Sequence, residues 1–365
     1  MMVEVAIEAV KARAFEVPTD RPEADGTMSW DSTTLVLVEI AAGDKSGIGY
    51  TYSDRSIVAL IAEKLTSIVR GKDALAPQAV WSAMQRAVRN LGREGLAATA
   101  ISAVDTALYD LKARLLDVPL VQLLGSYRTA VPIYGSGGFT TYSDSDLADQ
   151  LGGWVSDDGC EHVKMKVGSE PDLDPHRVRV VSRAIGERAA LFIDANGAYS
   201  VKQALQLADV FGQHGVKWFE EPVSSDDLEG LRAVRARAPA GMDVAAGEYA
   251  YTADYVRVML GSGAVDVQQA DISRCGGVTG FLQIASLCDA HHIDLSGHCA
   301  PTLHLHAACA APRLRHLEWF HDHVRIEQML FDGAPTPRNG AIQPDLSRPG
   351  NGLIFKNADA ARYAI

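Results

Sequence analysis

The segments "LFIDANG" (Leu191–Gly197) and "KWFEEPV" (Lys217–Val223) are short apolar runs that end abruptly in acids. Carboxylates at the tips of strand-like segments repel one another and are costly to desolvate, so the pattern points to a cation between them. The same texture recurs on both sides. "VPIYG", "HVKMKV", "LFIDAN", "KWFEEP", "DVAAGE", "AVDVQQAD", "IDLSGH" and "LRHLEWF" are short strand candidates separated by amphipathic helical segments, the signature of parallel β/α units. Asp174, with Pro175 at the first helical position, is predicted to cap a helix whose buried stripe is Val178, Val181 and Ile185. Ser200 caps the next, which Gly215 closes, and Asp226 or Asp227 opens a third that stops at Pro239. Eight such strands close as a barrel with its active site at their C-terminal ends. A doubly wound open sheet is the competitor, but no GxGxxG follows the first strand.

Before this region, residues from about Val3 to Tyr52 read as antiparallel strands ("VEVAIEAVKARAF", "TTLVLVEIAAG", "SGIGYTY"). Two helical patterns follow. "DRSIVALIAEKLTSIVRG" places Ile57, Leu60, Ile61, Leu65 and Ile68 on one stripe, and "AATAISAVDTALYDLKARLLD" ends before Pro119. The expected organisation is an α+β capping domain over residues 1–128, a catalytic barrel over 129–340, and a tail over 341–365 that packs back on the cap. "PTDRPEADGTMSWDS" (Pro18–Ser32) reads as a long polar loop, either disordered or a lid.

Composition narrows the partners. With 365 residues and 47% hydrophobic content the chain can bury a large core, while a formal net charge of −12 argues against nucleic acid or an anionic membrane. A small molecule is the expected partner. The N-terminus carries acids early and lacks the pattern of a signal peptide, and no apolar run is long enough to span a bilayer. Cys160, Cys275, Cys288, Cys299 and Cys309 form no CxxC pair and are expected as free thiols in a reducing cytoplasm.

The chemistry lies at the strand ends. Lys164 and Lys166, Asp194, Glu220, Glu248, Asp271, His298 and Glu318 come one unit after another: from Lys166 the successive separations are 28, 26, 28, 23, 27 and 20 residues. A single acid at a strand end is more often a helix cap or a salt-bridge partner. Seven in succession are not explained by capping. Asp194, Glu220 and Glu248 end three consecutive strands, so a barrel brings them to one point, where hard oxygen ligands suit Mg²⁺ and tolerate Mn²⁺. Glu221, next to Glu220, is expected on the other side of the strand in a structural ion pair. Lys164 and Lys166, two apart, both face the interior; their repulsion is expected to lower the pair's proton affinity and make one of them a base. Asp271 and His298 end neighbouring strands, which suits a carboxylate that fixes an imidazole tautomer.

The set "VKMKVG", "IDANG", "WFEEP", "AAGE", "DISRCGGVTG", "SGH" and "HLEWF" resembles the mandelate racemase subgroup of the enolase superfamily through essentially the whole chain. The resemblance implies a (β/α)7β barrel under an α+β cap, with Asp194, Glu220 and Glu248 as Mg²⁺ ligands. It implies Lys166 as one base with Lys164 beside it, the Asp271–His298 dyad as the other acid/base, and Glu318 as a hydrogen-bond partner of the substrate carboxylate or enolate. Asn196 matches a polar site residue; Trp30, Tyr52 and His321 are candidates for the substrate pocket. The implied chemistry removes a proton α to a carboxylate. Loss of a β-hydroxyl then makes a dehydratase of sugar acids, and reprotonation on the other face a racemase or epimerase of 2-hydroxy acids. A non-catalytic binding protein would have no use for two opposed proton-transfer groups. A homo-oligomer is expected.

Weaker signals are the HxH pairs His304/His306 and His321/His323. A metal-dependent amidohydrolase would need such a pair near the first strand, which here ends in "YGSGG". His304 and His306 are expected on a helix, and His321 and His323 at the pocket or merely over the barrel mouth. "CGGVTG" is expected as a tight strand-to-helix turn, and Cys275 and Cys299 lack a dedicated activating base.

Overall fold

Three antiparallel strands open the chain in the computed structural model, which describes residues 4–365. β1 (Ala9–Ala24), β2 (Ser29–Ala42) and β3 (Lys45–Tyr52) pair in that order. The centre of β2 is apolar on both faces because it separates two cores. Leu35 and Leu37 join the core shared with the barrel, while Val36, Val38 and Ile40 join the core under the cap helices. Helix Leu96–Leu115 lies so close over β3 that a Cβ at Gly47 or Gly49 would collide with its backbone.

The segment expected as a loop, Pro18–Ser32, extends this sheet. β1 and β2 continue through it as a hairpin, with a register shift between Pro18 and Glu23. Asp25 Oδ1 accepts from the amides of Thr27 and Met28 and closes the tip. A Cβ at Gly26 would lie 2.6 Å from the carbonyl oxygen of Val167, so the tip rests on the barrel mouth. Sequence alone missed the strands because Pro18, Asp20, Arg21, Pro22 and Asp25 interrupt the alternation.

A second correction concerns the first helix. It is α-helical over Ser56–Leu60 and Thr66–Val69, with a π turn at Ile61–Leu65 between them. The extra residue rotates the stripe, so Val69 is buried where Ile68 was expected.

The barrel follows. β4 (Val131–Gly137), β5 (His162–Lys166), β6 (Ala190–Asp194), β7 (Val216–Glu220), β8 (Asp243–Ala246), β9 (Val267–Ala270), β10 (Asp294–Gly297) and β11 (Leu314–Phe320) are parallel neighbours in chain order, and β11 closes on β4. Helices connect successive strands, and the expected stripe Val178, Val181 and Ile185 is buried. Ser200 caps its helix through a reciprocal pair with Gln203, and Asp227 caps the next through Gly230 N. Asp174 does otherwise. It is the first residue of its helix, and its carboxylate accepts from Gly168 N and Tyr199 Oη, holding the connection after β5 instead of the helix end.

Several contacts fasten cap to barrel. Gly276 N donates to Ser102 Oγ, and Asp105 accepts from Thr279 N and Oγ1, so the turn "CGGVTG" opens helix Gly277–His291 against the cap. Buried this way, the Asp105 carboxyl is pushed up to about 7. Beyond Gly340, Ala341–Ile342 pairs with β4, whereas Gly350 and Asn351 bond to Leu120, Val118, Asp110 and Ile48 of the cap. Among the described residues no helix is long and apolar enough to cross a membrane.

Candidate active site

Alternation along the barrel strands stacks two inward layers. The lower is aromatic: Tyr134, Phe192 and Trp218 pack with His316, Phe192 stacking on Trp218 at 5.1 Å. Two residues further on, the same strands present Ser136, Asp194, Glu220 and Glu318. All four are fully buried, as is Lys164. The lower layer supports the upper one directly, since Trp218 Nε1 donates to Glu220 Oε2 (2.9 Å) and Lys164 Nζ lies 5.4 Å from the Tyr134 ring centre.

Carboxylate oxygens of Asp194, Glu220 and Glu248 lie within 4.8 Å of one another. Burial and Asp194 push the Glu220 carboxyl up to about 8. Glu221 corrects the sequence reading. It lies past the end of β7 at φ 37°, is buried, and makes no ion pair among the described residues. Burial and the Glu248, Asp194 and Glu220 charges hold its carboxyl well above the usual range, and its Oε1 has no hydrogen-bond partner. The left-handed turn carries Glu221 towards the acids instead of away from them. Asn196, also left-handed, donates its backbone N–H to Asp194 Oδ1 (2.9 Å), leaving its own buried Oδ1 without a donor. An all-oxygen cluster with excess negative charge and orphaned acceptors (Glu248 Oε2 among them) fits a hard divalent cation such as Mg²⁺.

Two cationic groups sit against these acids from β5. Lys164 Nζ contacts Glu220 Oε1 (2.5 Å), Glu318 Oε1 (2.8 Å) and Asp194 Oδ2 (3.6 Å); Lys166 Nζ contacts Asp194 Oδ2 (2.5 Å). Mutual repulsion does not dominate as the spacing suggested. Burial and Lys164 work against the Lys166 ammonium, but Asp194, with Glu248 and Glu318, outweighs them and holds its pKa above the usual lysine range. Lys164 is raised likewise, chiefly by Glu220 and Glu318 against burial.

His298, just past β10, enters from another side, separated from Lys166 by β4 and β11 one way and by β6 to β9 the other. Its Nδ1 donates to Asp271 Oδ2 (2.9 Å), while Nε2 lies 3.2 Å from Glu248 Oε2. Asp271 Oδ1 accepts from Ser273 N and Oγ. Burial opposes both charges, yet His298 and Arg274 hold Asp271 below its usual range, and Cys299, Glu248 and Glu318, with Asp271, hold His298 well above its own. His304 lies on helix Pro301–Cys309, as expected, and its Nε2 accepts from Ile272 N, steadying the turn after Asp271.

Glu318, fully buried, accepts from Ser136 Oγ and Cys299 N, and Lys164 and His298 hold its carboxyl well below the usual range against burial.

The remaining candidates ring the mouth where cap meets barrel. Trp30 packs edge-on to Phe139 at 5.6 Å and donates to Glu23 Oε2; Tyr52 stacks on His323 at 3.5 Å; His321 faces Asp20 at the partly exposed rim. The sequence reading did not name Arg274, which reaches Asp271 and Glu248, nor Ser136. The strand-end rule applied to "YGSGG" finds Ser136. Arg274 has a weaker signal, three residues after Asp271.

A closed parallel barrel with carboxylates from three successive strand ends, flanked by lysine and by a histidine–aspartate pair, defines an enolase-like barrel enzyme. Residues 146–359 match the family model "Enolase C-terminal domain-like", and residues 7–125 match "Mandelate racemase / muconate lactonizing enzyme, N-terminal domain". The chain belongs to the mandelate racemase/muconate lactonizing enzyme family of the enolase superfamily. It is 30% identical to 3,6-anhydro-alpha-L-galactonate cycloisomerase of Streptomyces coelicolor, over 98% of this chain and 99% of that one. A solved mandelate racemase/muconate lactonizing enzyme-like protein from Rubrobacter xylanophilus superposes with a TM-score of 0.97 at 51% identity, covering 99% of this chain and 100% of the other. L-talarate/galactarate dehydratase from Salmonella typhimurium, solved with Mg and L-lyxarohydroxamate, gives a TM-score of 0.91 at 27% identity over 100% and 94% of the two chains.

Proposed function

We propose that the protein is a Mg²⁺-dependent acid-sugar dehydratase: it abstracts the proton α to the carboxylate of a polyhydroxylated acid and then expels the β-hydroxyl. The observation that carries the first step is the approach of Lys166 and the Asp271–His298 pair to one acid cluster from different sides. A proton α to a carboxylate is very weakly acidic, and removing it places a second negative charge on the substrate. Bound at Asp194, Glu220 and Glu248, Mg²⁺ supplies the positive charge that makes this affordable.

The chain's own groups do the rest. With a cation held at Asp194, Glu220 and Glu248, the acid charges that keep Lys166 and His298 protonated would be offset. The group on the face that carries the α-proton can then stand as the free base and take it, and the C–H electron pair moves into the enolate. Imidazolium His298 gives its Nε2 proton to the departing β-hydroxyl, which leaves as water when the Cβ–O bond breaks. The resulting enol tautomerises to a 2-keto-3-deoxy acid. Asp271 keeps the Nδ1 proton in place so that Nε2 faces the substrate. Lys164, positioned by Glu318, adds fixed positive charge beside the substrate carboxylate.

Elimination, in preference to another fate of the enolate, is supported by the close superposition on L-talarate/galactarate dehydratase. A second reading keeps the first step but opens or closes a ring; the identity to a cycloisomerase over 98% of the chain favours it. Incubation with a panel of acid sugars and Mg²⁺, followed by NMR and a carbonyl reagent, separates these. A 2-keto acid formed with loss of water is expected. An isomer of unchanged mass, ring-altered or inverted at C-2, would instead make the protein an isomerase.

A further inference from the structure

The site contains one soft donor that this reaction leaves unused. Cys299 follows His298 in a left-handed conformation (φ 50°) and is 5% exposed. Its backbone N–H donates to Glu318 Oε2 at 2.9 Å, which folds the side chain back over that carboxylate. The thiol sulfur stands 3.4 Å from His298 Nε2 and 3.5 Å from Glu318 Oε2, and those two atoms are 3.7 Å apart.

These separations describe a recognisable object. Zinc bonds to thiolate, imidazole and carboxylate at roughly 2.3, 2.0 and 2.0 Å, so the edges of its coordination tetrahedron measure roughly 3.3–3.6 Å. The triangle in the protein matches to within a few tenths of an ångström, the Nε2–Oε2 edge being the longest. Its environment suits a metal too. Asp271 holds Nδ1–H of His298, the carboxylate–histidine arrangement that directs Nε2 at a metal. Glu248 Oε2 faces the same Nε2 at 3.2 Å, so the second site would lie directly beside the first.

We propose that His298, Cys299 and Glu318 form a second metal site, selective for soft divalent ions of the Zn²⁺ class, whose occupation shuts the enzyme off by taking Nε2 of His298. The two sites have opposite tastes. Asp194, Glu220 and Glu248 offer only oxygen, which suits Mg²⁺, whereas a thiolate contributes little to a hard ion and much to Zn²⁺ or Co²⁺. Binding forms the metal–sulfur, metal–nitrogen and metal–oxygen bonds, releases the thiol proton to solvent, and changes no oxidation state. Neither His298 nor Glu318 leaves its place. The shut-off rests on the role proposed for His298; the site itself does not.

Chelator-stripped protein titrated with Co²⁺ in saturating Mg²⁺ tests this through the thiolate-to-cobalt charge-transfer absorption in the near ultraviolet. One equivalent per chain is expected to develop the band, Zn²⁺ to bleach it, Cys299→Ser and Cys299→Ala to abolish it, and Glu220→Gln to leave it. Inhibition of turnover by Zn²⁺ at saturating Mg²⁺ should weaken roughly tenfold or more in Cys299→Ser, measured against that variant's own uninhibited rate. No band in the wild type, or a band that persists in both cysteine variants, overturns the site. A Cys299-dependent band without inhibition supports the site and contradicts the catalytic role of His298.

Discussion

The two arms that reach the acid cluster are built on different electrostatic plans. Lys166 has its charge set by the metal-site acids themselves: Asp194 is 2.5 Å away, and Lys164 beside it is tied to Glu220 and Glu318. His298 has a carboxylate of its own, Asp271, which is anchored by Ser273 and Arg274 and is not one of the three clustered acids. The lysine arm should therefore respond to anything that alters the cation site. The histidine arm, which meets the cation site where Nε2 lies 3.2 Å from Glu248 Oε2 but has Asp271 besides, should depend on it less.

The largest effect tests the shared part. Glu220→Gln removes a proposed ligand and the closest partner of Lys164, so Mg²⁺ affinity by calorimetric titration should fall by roughly 10²-fold or more, and turnover by roughly 10³-fold or more. The barrel should stay folded, because the ligand ends a strand above the aromatic layer. Unchanged affinity would mean that the cation sits elsewhere.

Next comes the histidine arm alone. Asp271→Asn frees the imidazole tautomer and should lower dehydration by roughly 10²–10⁴-fold while leaving Mg²⁺ titration unchanged. A parallel loss of Mg²⁺ affinity would abolish the distinction between the arms.

Much of this was legible before any coordinates. The strand-end rule placed Asp194, Glu220, Glu248, Asp271, His298 and the Lys164/Lys166 pair because a parallel strand of period two delivers one group per unit to one end of a barrel. It failed where the backbone leaves that period. Glu221, at φ 37°, turns towards the acids although strict alternation sends it away. The π turn at Ile61–Leu65 displaced a helical stripe for the same reason. For the lysine charges, spacing reveals the neighbour two residues away but not Asp194 on the next strand, which outweighs it. The hairpin through Pro18–Ser32 stayed hidden because its prolines and charges pack on another domain's rim instead of following a sheet pattern.

The smallest predicted effect lies in that hairpin, outside both arms. Glu23 is fully buried, Trp30 Nε1 donates to its Oε2, and burial together with Asp322 pushes its carboxyl up to about 8. Because the folded value lies above the unfolded one, this residue favours folding at low pH, and that contribution is lost as pH rises from about 4.5 through about 8. Glu23→Gln should therefore raise the melting temperature relative to wild type by about 1–4 °C at alkaline pH, with a difference that shrinks towards pH 5. Thermal melts across that range check it; a gain independent of pH would show that the carboxyl is ionised in the folded protein.

The central claim is that two independent proton-transfer arms serve one enolate, and proton exchange in D₂O tests it most directly. With a turned-over acid sugar and Mg²⁺, His298→Asn should retain α-proton exchange catalysed by Lys166, seen by NMR, while 2-keto acid formation collapses. Wild-type rates of exchange and of keto acid formation in a protein lacking both Lys166 and His298 would contradict the account.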